Sequence, residues 1–171
     1  QGIRATVVTI EVNVTQGIRF LIVGLPDNAV KESHEGIAAA MAISGKKFPR
    51  MQIVINMAPA DIRKEGSAYD LPLAAAILAS SEQIDAEKLD SYLLMGELSL
   101  DGGLQPIKGA LPIAVKARDE GFKGIILPVQ NAPEAAVVEG LDVFGFSNLN
   151  EVIDFFNGSS NFEPLKIDVS E

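Results

Sequence analysis

Cysteine is absent from this 171-residue chain, and histidine occurs once, at His34. No disulfide framework can form, and a zinc shell has neither thiolates nor a second imidazole to draw on. No run of about 18 consecutive apolar residues occurs, which excludes a membrane-spanning helix. No secretory signal opens the chain, so the cytoplasm is the default compartment. Positive charge is also scarce: 14 Lys and Arg against 23 Asp and Glu leave a formal net charge of −9. Nucleic-acid affinity comes largely from neutralised phosphates, so the chain is not expected to hold nucleic acid by itself. The first residue is Gln1 rather than methionine, which leads to the expectation of a piece of a longer protein. What is plentiful is apolar: 47% of residues are hydrophobic, enough for one domain with a real core.

Along the chain, Ala5 to Val14 and Ile18 to Leu25 read as strands, joined by Thr15-Gln16-Gly17 into an expected antiparallel hairpin. Pro26-Asp27 opens a helix reaching about Ser44, with Gly45 as its stop and Val30, His34, Ile37 and Met41 on its inner stripe. Met51 to Met57 is a nearly continuous apolar strand. Ile84 to Asp90 is polar, with room for one short helical turn, and Tyr92 to Leu100 reads as a strand. Asp101-Gly102 then signals a turn into Leu104 to Ile107. From there the period changes: a helix over Ala110 to Glu120, a buried strand over Gly124 to Leu127, a short helix from Pro133 stopping at Gly140, and a strand over Asp142 to Phe146. The last helix has Asn148 and Glu151 at capping-box spacing and ends at Gly158. Antiparallel signals first and β-α-β-α afterwards predict an α+β fold, a mixed sheet with covering helices. The domain is expected to fill residues 1–158, with 159–171 a polar linker.

Asn56 to Leu78, NMAPADIRKEGSAYDLPLAAAIL, concentrates the functional question. It runs from a strand end through a charged loop into a helix that is apolar on every face, as in an element buried all round. Asp70 has the character of an N-cap, and Pro72 fits the first turn. Glycine, serine and a helix N-terminus meet at Gly66, Ser67 and Asp70, where a nucleophile or an anion site could be built. A phosphate-binding loop is not there: the Gly45-Lys46 pair has Ala40 where the first glycine belongs and Lys47 where the hydroxyl belongs. His34 reads as a partly buried core residue rather than a triad member, and Asp101 beside two glycines as a turn residue rather than a metal ligand. Serine with lysine remains, since a lysine of lowered pKa can serve as base. Ser67 with Lys108 is the pair to test, against a plain reading of a turn-capping serine and solvated lysines.

VGLPDNAVKES (Val23 to Ser33), INMAPADIRKEGSAYDLPLA (Ile55 to Ala74) and GELSLDGGLQPIKGALP (Gly96 to Pro112) resemble the N-terminal domain of the ComM/YifB competence protein family, which are Mg-chelatase-like AAA+ ATPases. The resemblance covers nearly the whole chain in the same order. It implies a Lon-protease-like fold of the ribosomal protein S5 domain 2 type, followed by an AAA+ module that would bring ATP and magnesium in a hexameric full-length protein. It also implies DNA processing, with no membrane and no cofactor in this segment. Lon's serine lies in P-K-D-G-P-S-A-G. With Gly66 in register, Ala68 falls at the nucleophile and Ser67 at the proline before it. Lon's lysine lies in L-P-I-G-G-L-K, and Leu111 falls at its position. The resemblance therefore supports the fold and opposes peptidase activity, with Ala68 and Leu111 expected to face each other, Ser67 to point elsewhere and Lys108 to lie in solvent. Asp70 would add a negative charge where a helix N-terminus otherwise favours an oxyanion. The candidate contact loop is then Asp61, Arg63, Lys64, Glu65 and Asp70, with Arg63 and Lys64 foremost. Lys46, Lys47 and Arg50 form a second basic cluster, a strand of about 20 Å away. The rival reading keeps Ser67 and Lys108 as a peptidase dyad.

Overall fold

The computed structural model describes residues 9–16, 20–23, 27–58 and 66–167. The first sheet has three strands, β1 (Thr9–Gln16), β2 (Phe20–Val23) and β3 (Met51–Ala58), in the order β1-β3-β2. The expected hairpin is therefore not formed. β3 lies between the two strands, antiparallel to β1 over Thr9↔Ala58 to Gln16↔Met51 and parallel to β2 over Phe20↔Ile53 to Val23↔Asn56. β3 carries the apolar run, and its Ile53 and Ile55 are fully buried, so the central place is where that run loses most contact with water. Helix α1 (Asp27–Ile43) links the parallel pair β2 and β3.

Helix α2 (Asp70–Ser80) follows one turn of 3-10 helix, Gly66–Tyr69. It packs against α1, β1 and the strands that come next, and seven of its residues are buried, from Asp70 to Leu78. That is the helix buried all round which its composition predicts. Another 3-10 turn, Leu89–Ser91, leads into β4 (Tyr92–Leu94). The expected single strand from Tyr92 to Leu100 is broken at Met95-Gly96: β5 (Glu97–Leu98) turns away to pair with β6 (Leu104–Gln105) as a separate hairpin. Gly96 is the reason. Its N–H donates to Ala68 O (3.0 Å) and its C=O accepts from Leu71 N (2.9 Å), so its peptide groups serve the start of α2 instead of a sheet.

The second sheet, β4-β7-β8, is parallel throughout, with β7 (Gly124–Pro128) at its centre and β8 (Asp142–Phe146) beside it. The two faces of the sheet follow the period of two. Ile125, Leu127 and Val143 pack with Ala110, Ala114 and Ala135 of α3 (Ala110–Asp119) and α4 (Ala132–Ala136). Ile126, Phe144 and Phe146 pack into the main core with α2 and with Val152, Phe155 and Phe156 of α5 (Leu149–Asn157). The α5 start carries the expected cap: Asn148 Oδ1 accepts from Glu151 N (2.9 Å), and Glu151 Oε1 accepts from Ser147 N. Gly158 ends the helix in the left-handed conformation, φ 70°. The tail does not leave the domain at 159. Phe162 meets the ring of Phe146 edge-on at 4.9 Å, and Leu165 N donates to Val143 O (2.7 Å). The described residues thus form a mixed α/β fold, with one mixed sheet, one parallel sheet and the small β5-β6 hairpin covered by helices, rather than the single mixed sheet expected.

Candidate functional site

Asp70 is the first residue of α2 and is 3% exposed. It is not the N-cap that its position suggests. Tyr69 occupies that place without a side-chain cap bond, and the Asp70 carboxylate turns inward. Its Oδ1 accepts from Ser33 Oγ of α1 (3.1 Å), and its Oδ2 accepts from the backbone N–H of Leu98 in β5 (3.0 Å). One carboxylate thereby ties three elements that are distant in sequence. Gly36 makes the approach possible, because a Cβ there would lie 2.9 Å from Leu98 O. Ser33 and Gly36 share the buried stripe of α1 with Ile37, Ala40 and Met41. His34 stands at its edge, half-exposed, with its ring edge-on to Phe48 at 4.8 Å.

Burial pushes the Asp70 carboxyl up from 3.8 to about 7; the bonds from Leu98 and Ser33 pull it back only partly, and Glu97 and Glu32 add to the rise. The full negative charge expected at this helix N-terminus is therefore diluted near neutral pH, because desolvation outweighs the two donors. One first-turn donor is also engaged. Leu71 N–H, one of the groups a helix start leaves free for an anion, is taken by Gly96 C=O.

Around this start, Ala68 is half-buried, and its carbonyl accepts from Gly96 N. Ser67 lies in the same 3-10 turn, and its side chain lies outside what the structure describes. Asp61, Arg63, Lys64 and Glu65 fall in residues 59–65, also outside the described residues. Asp70, grouped with them by sequence, presents no carboxylate to the surface. Lys108 is exposed, as expected. Its loop is held elsewhere: the buried Asn131 side chain accepts from Ile107 N and donates to Ile107 O, both at 2.9 Å. Leu111 is 39% exposed on the first turn of α3, its N–H donating to Glu134 Oε2 (3.2 Å). Asp101 is a turn residue, accepting from Ser99 Oγ (2.6 Å) and Gly103 N (2.9 Å), bonds that hold its carboxyl below the usual range.

Sequence patterning missed Ser33 and Gly96. The signal for Ser33 was its place with Gly36 on the α1 stripe, two small residues where a neighbour comes close. For Gly96 no local pattern marks the two bonds it makes to residues 68 and 71.

Gly45-Lys46-Lys47 follows the C-terminus of α1, where the exposed groups are carbonyls, whereas a phosphate cradle needs the N–H groups of a helix start. Among the described residues no group of three His, Cys, Asp or Glu side chains is placed to hold a metal ion, and no helix is long and apolar enough to cross a membrane. The described residues do not fit a magnesium–nucleotide site.

Residues 10–131 match the protein family described as subunit ChlI of Mg-chelatase. The YifB protein of Escherichia coli is 41% identical over 166 residues, 96% of this chain and 33% of that protein. Competence protein ComM of Haemophilus influenzae is 37% identical over 169 residues, 98% of this chain and 33% of that protein. Lon protease 2 of Bacillus subtilis is more distant, 26% identical over 144 residues, 82% of this chain and 26% of that protein. The chain spans about a third of the length of YifB and ComM.

Proposed function

Because the chain belongs to the family of the ChlI subunit of Mg-chelatase and is similar to YifB and ComM, we propose that it is a non-catalytic, Lon-like accessory domain of an AAA+ ATPase. Its fold on this reading is of the S5 domain 2 type. ATP and magnesium act in a separate module of the full-length protein, which assembles as a hexamer in the cytoplasm. The domain serves subunit association or the guidance of DNA in a DNA-processing reaction. That ComM is a competence protein is the support for that last step.

The observation that carries the non-catalytic reading is the start of α2. In register with the Lon motif, the nucleophile position is Ala68, and its peptide is bonded to Gly96. The N–H of Leu71 is spent on the same glycine, and the Asp70 carboxyl at this helix start is buried against Ser33 and the Leu98 N–H. A nucleophile and free oxyanion donors are what acyl transfer needs at such a place. The rival dyad gains nothing from Lys108, which is exposed on a loop held by Asn131.

The test is cleavage of a fluorogenic casein by the wild-type chain and by Ser67→Ala. Both should stay at background, and a wild-type rate that Ser67→Ala abolishes would overturn the proposal. For DNA, the chain at −9 should bind weakly, through Arg63 and Lys64. Tight binding near physiological salt that survives Arg63→Ala with Lys64→Ala would count against this placement.

A further inference from the structure

A groove of about 740 Å³ opens between the C-terminal half of α1, residues 46–50 and the end of α2. Its floor is apolar, made by Ala38, Ala42, Phe48 and Pro49, and its rim carries Lys46, Lys47 and Arg50. Lys47 and Arg50 are exposed, Lys46 is half-exposed, and among the described residues none of the three forms an ion pair. The carbonyl ends of α1 and α2 lie alongside, each worth about half a negative charge. Three cations against those two ends and Glu82, between Ser81 and Gln83, leave a local charge of about +1, in a chain whose total is −9.

The wall is pre-formed. The Gln83 side chain accepts from Lys47 N (2.9 Å) and donates to Lys47 O (2.7 Å), pairing with that peptide on both sides. Its amide also donates to Ser81 Oγ (2.9 Å), which is fixed in turn to Ile77 O. The edge-on contact of Phe48 with His34 holds the aromatic part of the floor. A rigid groove loses little freedom when a ligand binds.

We propose that this groove docks an acidic peptide segment that inserts an aliphatic or aromatic side chain over Ala42 and Phe48 while its carboxylates meet Lys46, Lys47 and Arg50. Charge complementarity selects an anionic partner, and the apolar floor selects among anions. A phosphodiester chain would leave Ala38, Ala42 and Pro49 facing charged oxygens, whereas a peptide of mixed acidic and apolar residues satisfies both parts. This site is separate from the start of α2 and does not depend on the accessory-domain proposal.

The experiment is an array of short immobilised peptides varied in net charge and apolar content, probed with the labelled chain. Acidic peptides with an apolar residue should bind best, ahead of acidic polar ones and of basic ones. With the best peptide in solution, Lys47→Glu with Arg50→Glu should weaken binding about tenfold or more, and Ala42→Gln several-fold. These side chains are exposed, and the Gln83 bonds use only the Lys47 backbone, so the thermal melt should not move. Lys123→Glu with Lys166→Glu makes the same change in net charge at exposed positions outside the groove and should leave binding intact. The proposal is overturned if peptide charge makes no difference, or if both double variants weaken binding alike. It is equally overturned if a single-stranded oligonucleotide displaces the best peptide, or if sedimentation shows self-association that the groove variant abolishes.

Discussion

Replacing Asp70 by asparagine should stabilise the protein at neutral and alkaline pH, by an amount that shrinks as the pH falls towards 4. The folded carboxyl titrates at about 7 and the unfolded one at 3.8. Between those values the native state holds the extra proton, so stability is fully present below about pH 4 and is lost as pH rises through the folded value. The gap of 3.8 to about 7 corresponds to a loss on the order of 4 kcal/mol once the group is fully ionised. Asparagine removes this titration and can keep both contacts. Its Oδ1 can accept from Leu98 N, and its Nδ2 can donate to Ser33 Oγ, whose lone pairs are free to accept. Discounting for a weaker neutral acceptor, Asp70→Asn should exceed wild type by roughly 2–4 kcal/mol at pH 8 and by no more than about 1–2 kcal/mol at pH 5, where only the first part of the loss has occurred. Asp70→Ala should be worse than Asp70→Asn at both, by about 1–3 kcal/mol, because the buried Leu98 N–H is left without a partner. Urea unfolding of the three proteins at the two pH values measures this. If Asp70→Asn is destabilised at pH 8 as much as Asp70→Ala, the carboxylate is ionised and favoured in place, and the account of its burial is wrong.

Other positions give simpler tests by thermal or urea unfolding. Gly124→Ala would bring a Cβ to 2.6 Å from Asp142 O and 2.9 Å from the Tyr92 ring. It should destabilise by roughly 1–3 kcal/mol or more, and a neutral result would refute the close β4-β7-β8 spacing. Asn148→Ala should cost about 1 kcal/mol through loss of the α5 cap, with Asn148→Ser recovering most of it. Phe162→Ala should lower stability by about 1–2 kcal/mol if the tail is part of the folded unit; an unchanged midpoint would restore a linker that starts at 159.

Local chemistry carried much of the fold. β8 was legible over Asp142–Phe146 because a short apolar run lies between Gly140 and the Asn148 cap, and the α5 start because its cap and its third residue are close in sequence. The burial of α2 was legible because no face of it is polar. The order of the first sheet was not. Thr15-Gln16-Gly17 fixes that β1 and β2 run in opposite directions, and they do, but it cannot tell that β3, some 30 residues later, enters between them. Pairing across that distance depends on which strand has the most apolar surface to bury, a comparison between strands rather than a property of any turn. Likewise the break at Gly96 depends on Ala68 and Leu71, outside the window in which Tyr92 to Leu100 looks like one strand.

The same distinction explains why Asp70 was misjudged. An aspartate at a helix start satisfies local donors unless something stronger competes. Here the competitor is the Leu98 N–H, 28 residues away, on a strand bent inward by Gly96. Turning the carboxylate toward it costs the cap and raises its pKa, and the helix start is then satisfied by Gly96 C=O at Leu71. The two exchanges are linked: Gly96 C=O reaches Leu71 because β5 lies against the start of α2, and β5 is held there by the bond to Asp70. Cutting either should loosen the other. Asp70→Ala should therefore speed amide exchange at Leu71 as well as at Leu98, whereas Asp70→Asn should protect both. Faster exchange at Leu98 alone would show that the glycine clamp stands without the carboxylate, and that the two bonds are independent.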